Sequence, residues 1–161
     1  MNRLTVTLVL TLFAAGARAD INLQDWLQGC MPAQKDVRLE LGNEAYSAAI
    51  NLEFQCIGTA INLCELSGDQ VECVREAGEA LEEEYTQIRS QIPDVSGVAG
   101  FRGKGILRSI ASKDAGEPLA GDCTNSAPIC GLLEQGMRLL SIRSDERRAL
   151  SVLDLWDSFE E

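Results

Sequence analysis

Apolar residues recur at steps of three and four along most of this chain and nowhere alternate for long. That spacing predicts helices rather than strands. The most regular stretch runs from Asp69 to Ile92. Val71, Val74, Gly78, Leu81, Tyr85, Ile88 and Ile92 form one stripe, while Glu72, Glu76, Glu79, Glu82, Glu83 and Glu84 take the other faces. Gly68-Asp69 marks a stop and a start before it, and Pro93 ends it. The stripe is expected to be buried in the protein's own core.

Upstream, Glu44 to Leu66 reads as a second helix, with Ile50, Phe54, Ile57, Ile61 and Cys64 on one side and Ala45, Ala48, Ala49 and Ala60 favouring the state. A shorter helix is expected over Ile21–Cys30 with Trp26 and Leu27 inward, and Gly42-Asn43 separates it and the mixed-charge segment Lys35–Leu41 from the second helix. Downstream of Pro93 the character changes. Asp94–Gly105 holds Gly97, Gly100, Gly103 and Gly105 and reads as a flexible loop. It is not a phosphate cradle: Val98 stands where the first glycine of a P-loop belongs, and Gly105 follows Lys104 where Ser or Thr is required. The dinucleotide fingerprint fails as well, at Arg108.

A short helix is expected over Gly105–Lys113, then a second loop. The helical pattern returns from Ala127, with Pro128 in the first turn and Leu132, Leu133, Met137, Leu140 and Ile142 as apolar positions. A last helix is expected from Asp145 to Phe159, capped by Ser144, with Ala149, Val152, Leu153 and Trp156 on one face. The expected architecture is all-α: a hairpin core over 44–92, a glycine-rich loop over 94–105 and C-terminal helices over 127–159.

The first nineteen residues change the picture. Arg3, the apolar run Leu4–Ala15 and Ala17-Arg18-Ala19 before Asp20 read as a secretory signal peptide cleaved after Ala19. Twelve apolar residues reach only about 18 Å as a helix, against roughly 30 Å of hydrocarbon, so no span is expected after cleavage. The single domain is then 20–161, and the location periplasmic or secreted.

Export also decides how Cys30, Cys56, Cys64, Cys73, Cys123 and Cys130 are read. Six thiols in an exported chain imply three disulfides, and no C-x-x-C spacing suggests redox, zinc or iron–sulfur chemistry. Cys56 and Cys64 on one helix stand about 12 Å apart along its axis, too far to bond. Cys64 and Cys73 flank the Gly68-Asp69 turn, Cys123 and Cys130 close a small loop, and Cys30 is left for Cys56. Fifteen pairings exist for six cysteines, and this is the one expected.

Charge and composition mainly exclude. The chain has 161 residues, no histidine and a formal charge of −11; loss of Arg3 and Arg18 leaves 12 basic against 25 acidic side chains, or −13. Without histidine there is no Ser-His-Asp or Cys-His catalysis and no histidine-bound zinc. The acidic balance argues against nucleic acid, and no D-x-[DN]-x-[DN]-G loop supports calcium. Paired carboxylates such as Glu79, Glu83, Asp122 and Asp154 stand in no motif that fixes a geometry for acid–base work. No catalytic residue, metal or cofactor is expected, and the chain is not read as an enzyme.

The stretch CIGTAINLCELSGDQVECVREAGEALEEEYTQI, Cys56 to Ile88, resembles the core of the lysozyme inhibitor LprI-like family, small exported helical proteins of bacteria. Cys56-Ile57-Gly58, Cys64, Cys73, Leu81 and Tyr85 occupy that family's places, and Cys123 and Cys130 match its later cysteine pair. The family's aromatic-Arg-Asp segment is missing, with Lys113-Asp114 as its faint echo. The resemblance implies a periplasmic binding protein for a protein partner, a cationic lysozyme drawn by the acidic surface. Arg102 and Lys104, on the glycine-rich loop, are the candidate donors to the carboxylates of such an enzyme. The alternative is a structural or assembly module of the cell envelope.

Overall fold

A computed structural model describes residues 23–31, 42–98, 100–119 and 123–160, with side chains for 25–31, 47–98, 100–119 and 123–153. Within these lie α1 (Leu23–Cys30), α2 (Gly42–Glu65), α3 (Gln70–Gln91), α4 (Phe101–Asp114) and α5 (Ala127–Glu160), and no strand. The signal segment, residues 21–22, the Lys35–Leu41 stretch and Asp122 fall outside the described residues, as do the side chains of Asp154, Trp156 and Phe159.

α2 and α3 form the expected hairpin. α2 ends at Glu65, and Asp69 caps α3 by accepting the Glu72 amide at 3.2 Å. At the other end Ile92 turns extended (ψ 122°), the conformation that the following Pro93 imposes. Cys64 and Cys73 meet across the turn with Cα atoms 5.3 Å apart. Cys30–Cys56 bolts α1 onto α2, helped by the Trp26 indole N–H, which donates to the Cys56 carbonyl at 3.5 Å. Cys123–Cys130 ties the chain ahead of α5 to its first turn. The loop closed by Cys30–Cys56 has a sequence separation of 26, the other two 9 and 7. In the chain-entropy account these contribute about 3.5 kcal/mol for the first and about 2.5 kcal/mol for each of the others.

The apolar stripes hold in part. On α3, Ala77, Gly78, Leu81, Tyr85 and Ile88 are buried, but Val71 is 77 % exposed at the hairpin tip. On α2, Ile57, Ile61 and Cys64 are buried while Phe54 is 54 % exposed. The buried line on α2 runs instead through Ala49, Glu53, Cys56, Ile57 and Ala60. One residue of rotation away from the sequence reading, a glutamate takes the inward position.

α5 explains why. The sequence breaks it at Ser144 and caps a second helix there, but it runs unbroken through the Ser144–Arg148 charge cluster. Ile142, Arg143, Asp145, Glu146, Arg147 and Ala149 are all buried, because α2, α3 and α4 all pack around this helix. Its charges find partners on each. Glu53 of α2, 1 % exposed, receives the Arg143 Nε–H at 2.7 Å and both terminal nitrogens of Arg147, one of them at 3.1 Å. Arg143 also reaches Glu84 of α3 at 3.4 Å. Lys113 of α4 donates to Asp145 at 2.5 Å and to the Ser109 hydroxyl and carbonyl at 2.6 and 3.1 Å, which uses all three of its N–H bonds. Gly136 lets α2 approach: a Cβ there would stand 2.5 Å from the Ile57 side chain.

The loop expected over 94–105 is shorter than the sequence suggests: its described residues up to Gly100 are non-helical, but the rest is helix. α4 begins at Phe101, so Arg102, Gly103, Lys104 and Gly105 are helical. Gly100 precedes it with φ +99°, a conformation other residues rarely adopt. Gly103 is buried, and a Cβ there would meet the Val95 carbonyl at 2.9 Å. The segment before it is held by buried Val95 and by Asp94, whose carboxylate accepts the Ser96 amide and hydroxyl at 2.8 and 2.9 Å. Gly103 serves close packing and Gly100 the turn into α4, while a Cβ at Gly97 would meet nothing within 4 Å.

The three bridges predict that mass-spectrometric mapping of the oxidised protein recovers Cys30–Cys56, Cys64–Cys73 and Cys123–Cys130 with no titratable thiol. Glu53→Gln removes the buried charge that two guanidiniums share and is expected to cost about 3–5 kcal/mol in chemical denaturation. The apolar triple replacement Glu53→Leu with Arg143→Met and Arg147→Leu is expected to cost much less, because it removes the charges together.

Candidate functional site

α3 carries its acidic residues outward. Glu72, Glu76, Glu79, Glu82 and Glu83 are all exposed. Arg75 stands among them, bonding Glu72 and Glu79 at 2.6 Å each, and this hydrogen bond holds the Glu72 carboxyl below its ordinary range. The helix backing this face is fixed by its buried side and by the disulfide at its start, so the carboxylates are held in one row.

Beside the row, α3 and α5 leave a shallow groove of about 430 Å³. Val74, Gly78, Pro128, Gly131 and Leu132 form its apolar walls, and Arg75, Glu79 and Glu82 its charged rim. A Cβ at Gly78 would come within 2.8 Å of the end of the Gln135 side chain, which would have to turn aside. At Gly131, by contrast, a Cβ meets nothing within 4 Å. Part of the α3 stripe that the sequence assigns to the core therefore opens to solvent.

Arg102 and Lys104 are exposed on the first turn of α4. Two positions apart on a helix they lie about 200° around its axis, so the structure does not bring them to one point. Glu79 and Glu83 lie on the exposed α3 face, with no enclosed cleft around them. No group of three or more metal-ligating side chains occurs among the described residues. No helix among them is long and apolar enough to cross a membrane.

The Lys113-Asp114 pair sits at a junction of three helices. The Tyr85 hydroxyl donates to Asp114 at 3.1 Å, Arg89 pairs with the same carboxylate at 3.0 Å, and the Arg138 guanidinium lies 4.9 Å from the Tyr85 ring centre. The Arg89 hydrogen bond holds Asp114 below the usual carboxylate range, while burial pushes the Tyr85 hydroxyl up. Glu146 is the opposite case. Burial raises its pKa; Arg143 and Arg147 pull it back, but Glu53 and Glu84 oppose them, and its Oε2 accepts no hydrogen bond from the described residues. Sequence reading missed Glu53, Arg143, Arg147 and Glu146. The available signal was their spacing: Glu53 falls four residues from both Ala49 and Ile57, and Arg143 and Arg147 are four apart after Leu139.

Fold and surface together define a disulfide-tied all-α bundle with an acidic, grooved face. Compared with known proteins, the chain matches no family model, and no curated protein and no solved structure matches it.

Asp114 and Glu146 predict opposite pH dependences. Asp114, depressed when folded, contributes stability above the ordinary aspartate pKa that is lost as pH falls through its folded value. Asp114→Asn is expected to cost up to about 1 kcal/mol near neutral pH and nothing in strong acid. Glu146, raised when folded, is penalised as pH rises past the ordinary glutamate pKa. Glu146→Gln is expected to stabilise by about 1 kcal/mol near neutral pH, a gain that disappears in acid. Thermal melts of both variants across pH test the two signs.

Proposed function

We propose that this chain is an exported binding protein for a cationic protein partner, and that the partner is a lysozyme-type cell-wall hydrolase that it inhibits. The observation that carries this reading is the row of exposed carboxylates on α3, set beside an apolar groove. An ordered acidic row draws a cationic protein into encounter, and the groove offers the apolar contact that encounter alone lacks.

Three further features support it. The apolar run and small-residue site ahead of Asp20 suit export to the periplasm, and three disulfides persist in an oxidising compartment. The resemblance of Cys56–Ile88 to LprI-like lysozyme inhibitors points to the same partner class. Its tyrosine, Tyr85, is hydrogen-bonded to Asp114, within the echo of that family's missing segment. Arg102 and Lys104 are exposed donors on a rigid turn for the carboxylates of the enzyme's cleft. Leu66 and Val71, both exposed at the hairpin tip, favour a second reading, an assembly module of the envelope that docks through that tip.

The test is inhibition of several cationic lysozymes at low and moderate salt. Inhibition at micromolar protein is expected, weakening with salt and falling about tenfold in the Glu79→Lys/Glu82→Lys variant. Arg102→Ala and Lys104→Ala then measure what a cation entering the cleft adds. Absence of inhibition of every lysozyme at micromolar protein removes this reading and leaves the assembly module.

A further inference from the structure

α4 carries an outward face unlike the rest of this acidic molecule. Phe101 is 86 % exposed. Lys104 and Arg108, three and seven residues on, are exposed on the same side, with Leu107 beside them. The opposite side, Gly103, Ile106 and Ile110, is buried against the core. An aromatic ring flanked by two cations stands free on a chain of net charge −11.

The α3–α5 groove has the reciprocal chemistry. Its walls are apolar and small, and its rim holds Glu79 and Glu82 with Glu83 adjacent along α3. Arg75, the rim's one cation, is already bonded to Glu72 and Glu79. Its volume of about 430 Å³ lies at the low end of cavities that enclose a small ligand, enough for a phenyl ring and the methylene stems of flanking cations. α4 cannot reach the groove of its own chain with this face, because its other side is anchored in the core.

We propose that the Phe101–Lys104–Arg108 face of α4 docks in the α3–α5 groove of a second copy of this chain, with Phe101 between the helices and the two cations against Glu79 and Glu82. The contact joins two different surfaces, so each copy offers both a donor face and an acceptor groove. Net like charge keeps it weak, as for small transient interfaces. The inference does not rest on the hydrolase reading, since it is measured on the protein alone.

The experiment is sedimentation of the oxidised, exported chain up to about millimolar concentration, where an interface of this class is populated. Concentration-dependent association is expected in the native chain. It is expected to fall about tenfold or more in Lys104→Glu/Arg108→Glu and in Glu79→Lys/Glu82→Lys, and to return when those two variants are mixed. Gly131→Phe fills the groove where a side chain meets nothing, and is expected to abolish association with circular dichroism and melting intact. A native chain that stays monomeric throughout overturns the proposal. So does association that survives all three variants, or a mixture of the charge-reversed variants that remains monomeric. Binding of the native chain to anionic phosphatidylglycerol vesicles, lost in Lys104→Glu/Arg108→Glu, with no self-association, also overturns it and assigns the face to lipid.

Discussion

Glu53 between Arg143 and Arg147 is the contact on which the bundle's arrangement depends. A carboxylate and two guanidiniums taken out of water lose far more hydration than their attraction returns unless the geometry is nearly ideal. α2 and α5 therefore have one tolerable register, in which Glu53 meets both arginines. Arg143 then reaches Glu84, and Asp145 meets Lys113, so the same helix positions α3 and α4. Any shift of α5 that parts Glu53 from Arg143 and Arg147 leaves buried charges uncompensated. The ions give specificity of arrangement, while the apolar core and the disulfides supply the stability.

That division of labour shapes the surface. With α5 surrounded, α3 is left at the outside, and its buried side stops short of its first turns. Small residues at Gly78 and Gly131 leave a groove along the seam between α3 and α5. The carboxylates along its rim have water on one side and a rigid helix on the other. A face of this kind attracts cations, whether they belong to another protein or to α4 of another copy.

Much of this was legible in the residues. Helix was readable from spacing, because a stripe at steps of three and four has only one regular backbone that suits it. The hairpin turn was readable from Gly68-Asp69, where a capping aspartate follows a helix breaker. Rise per residue along a single α2 forbids Cys56–Cys64; Cys64 and Cys73 flank the turn, Cys123 and Cys130 close a short loop, and Cys30–Cys56 is the pair that remains. The acidic face of α3 was visible as soon as the helix was drawn. The groove was not: it needs α5 laid against α3, and the sequence places Val71 and Val74 in the core by the same rule that correctly places Leu81 and Ile88.

The chain's local pattern thus determined its helical character, the turn between α2 and α3 and the two short-range sulfur pairings, because each depends on residues close together. Tertiary structure alone decided which way α2 faces, that α5 continues through Ser144–Arg148, and that α4 begins at Phe101 with Gly103 packed against Val95. Helix capping and charge patterns are statements about solvent, and they fail where neighbouring helices replace it. Arg143, Asp145 and Arg147 look like surface residues until their partners arrive from ninety residues upstream and thirty residues back, and only the assembled fold brings those partners in.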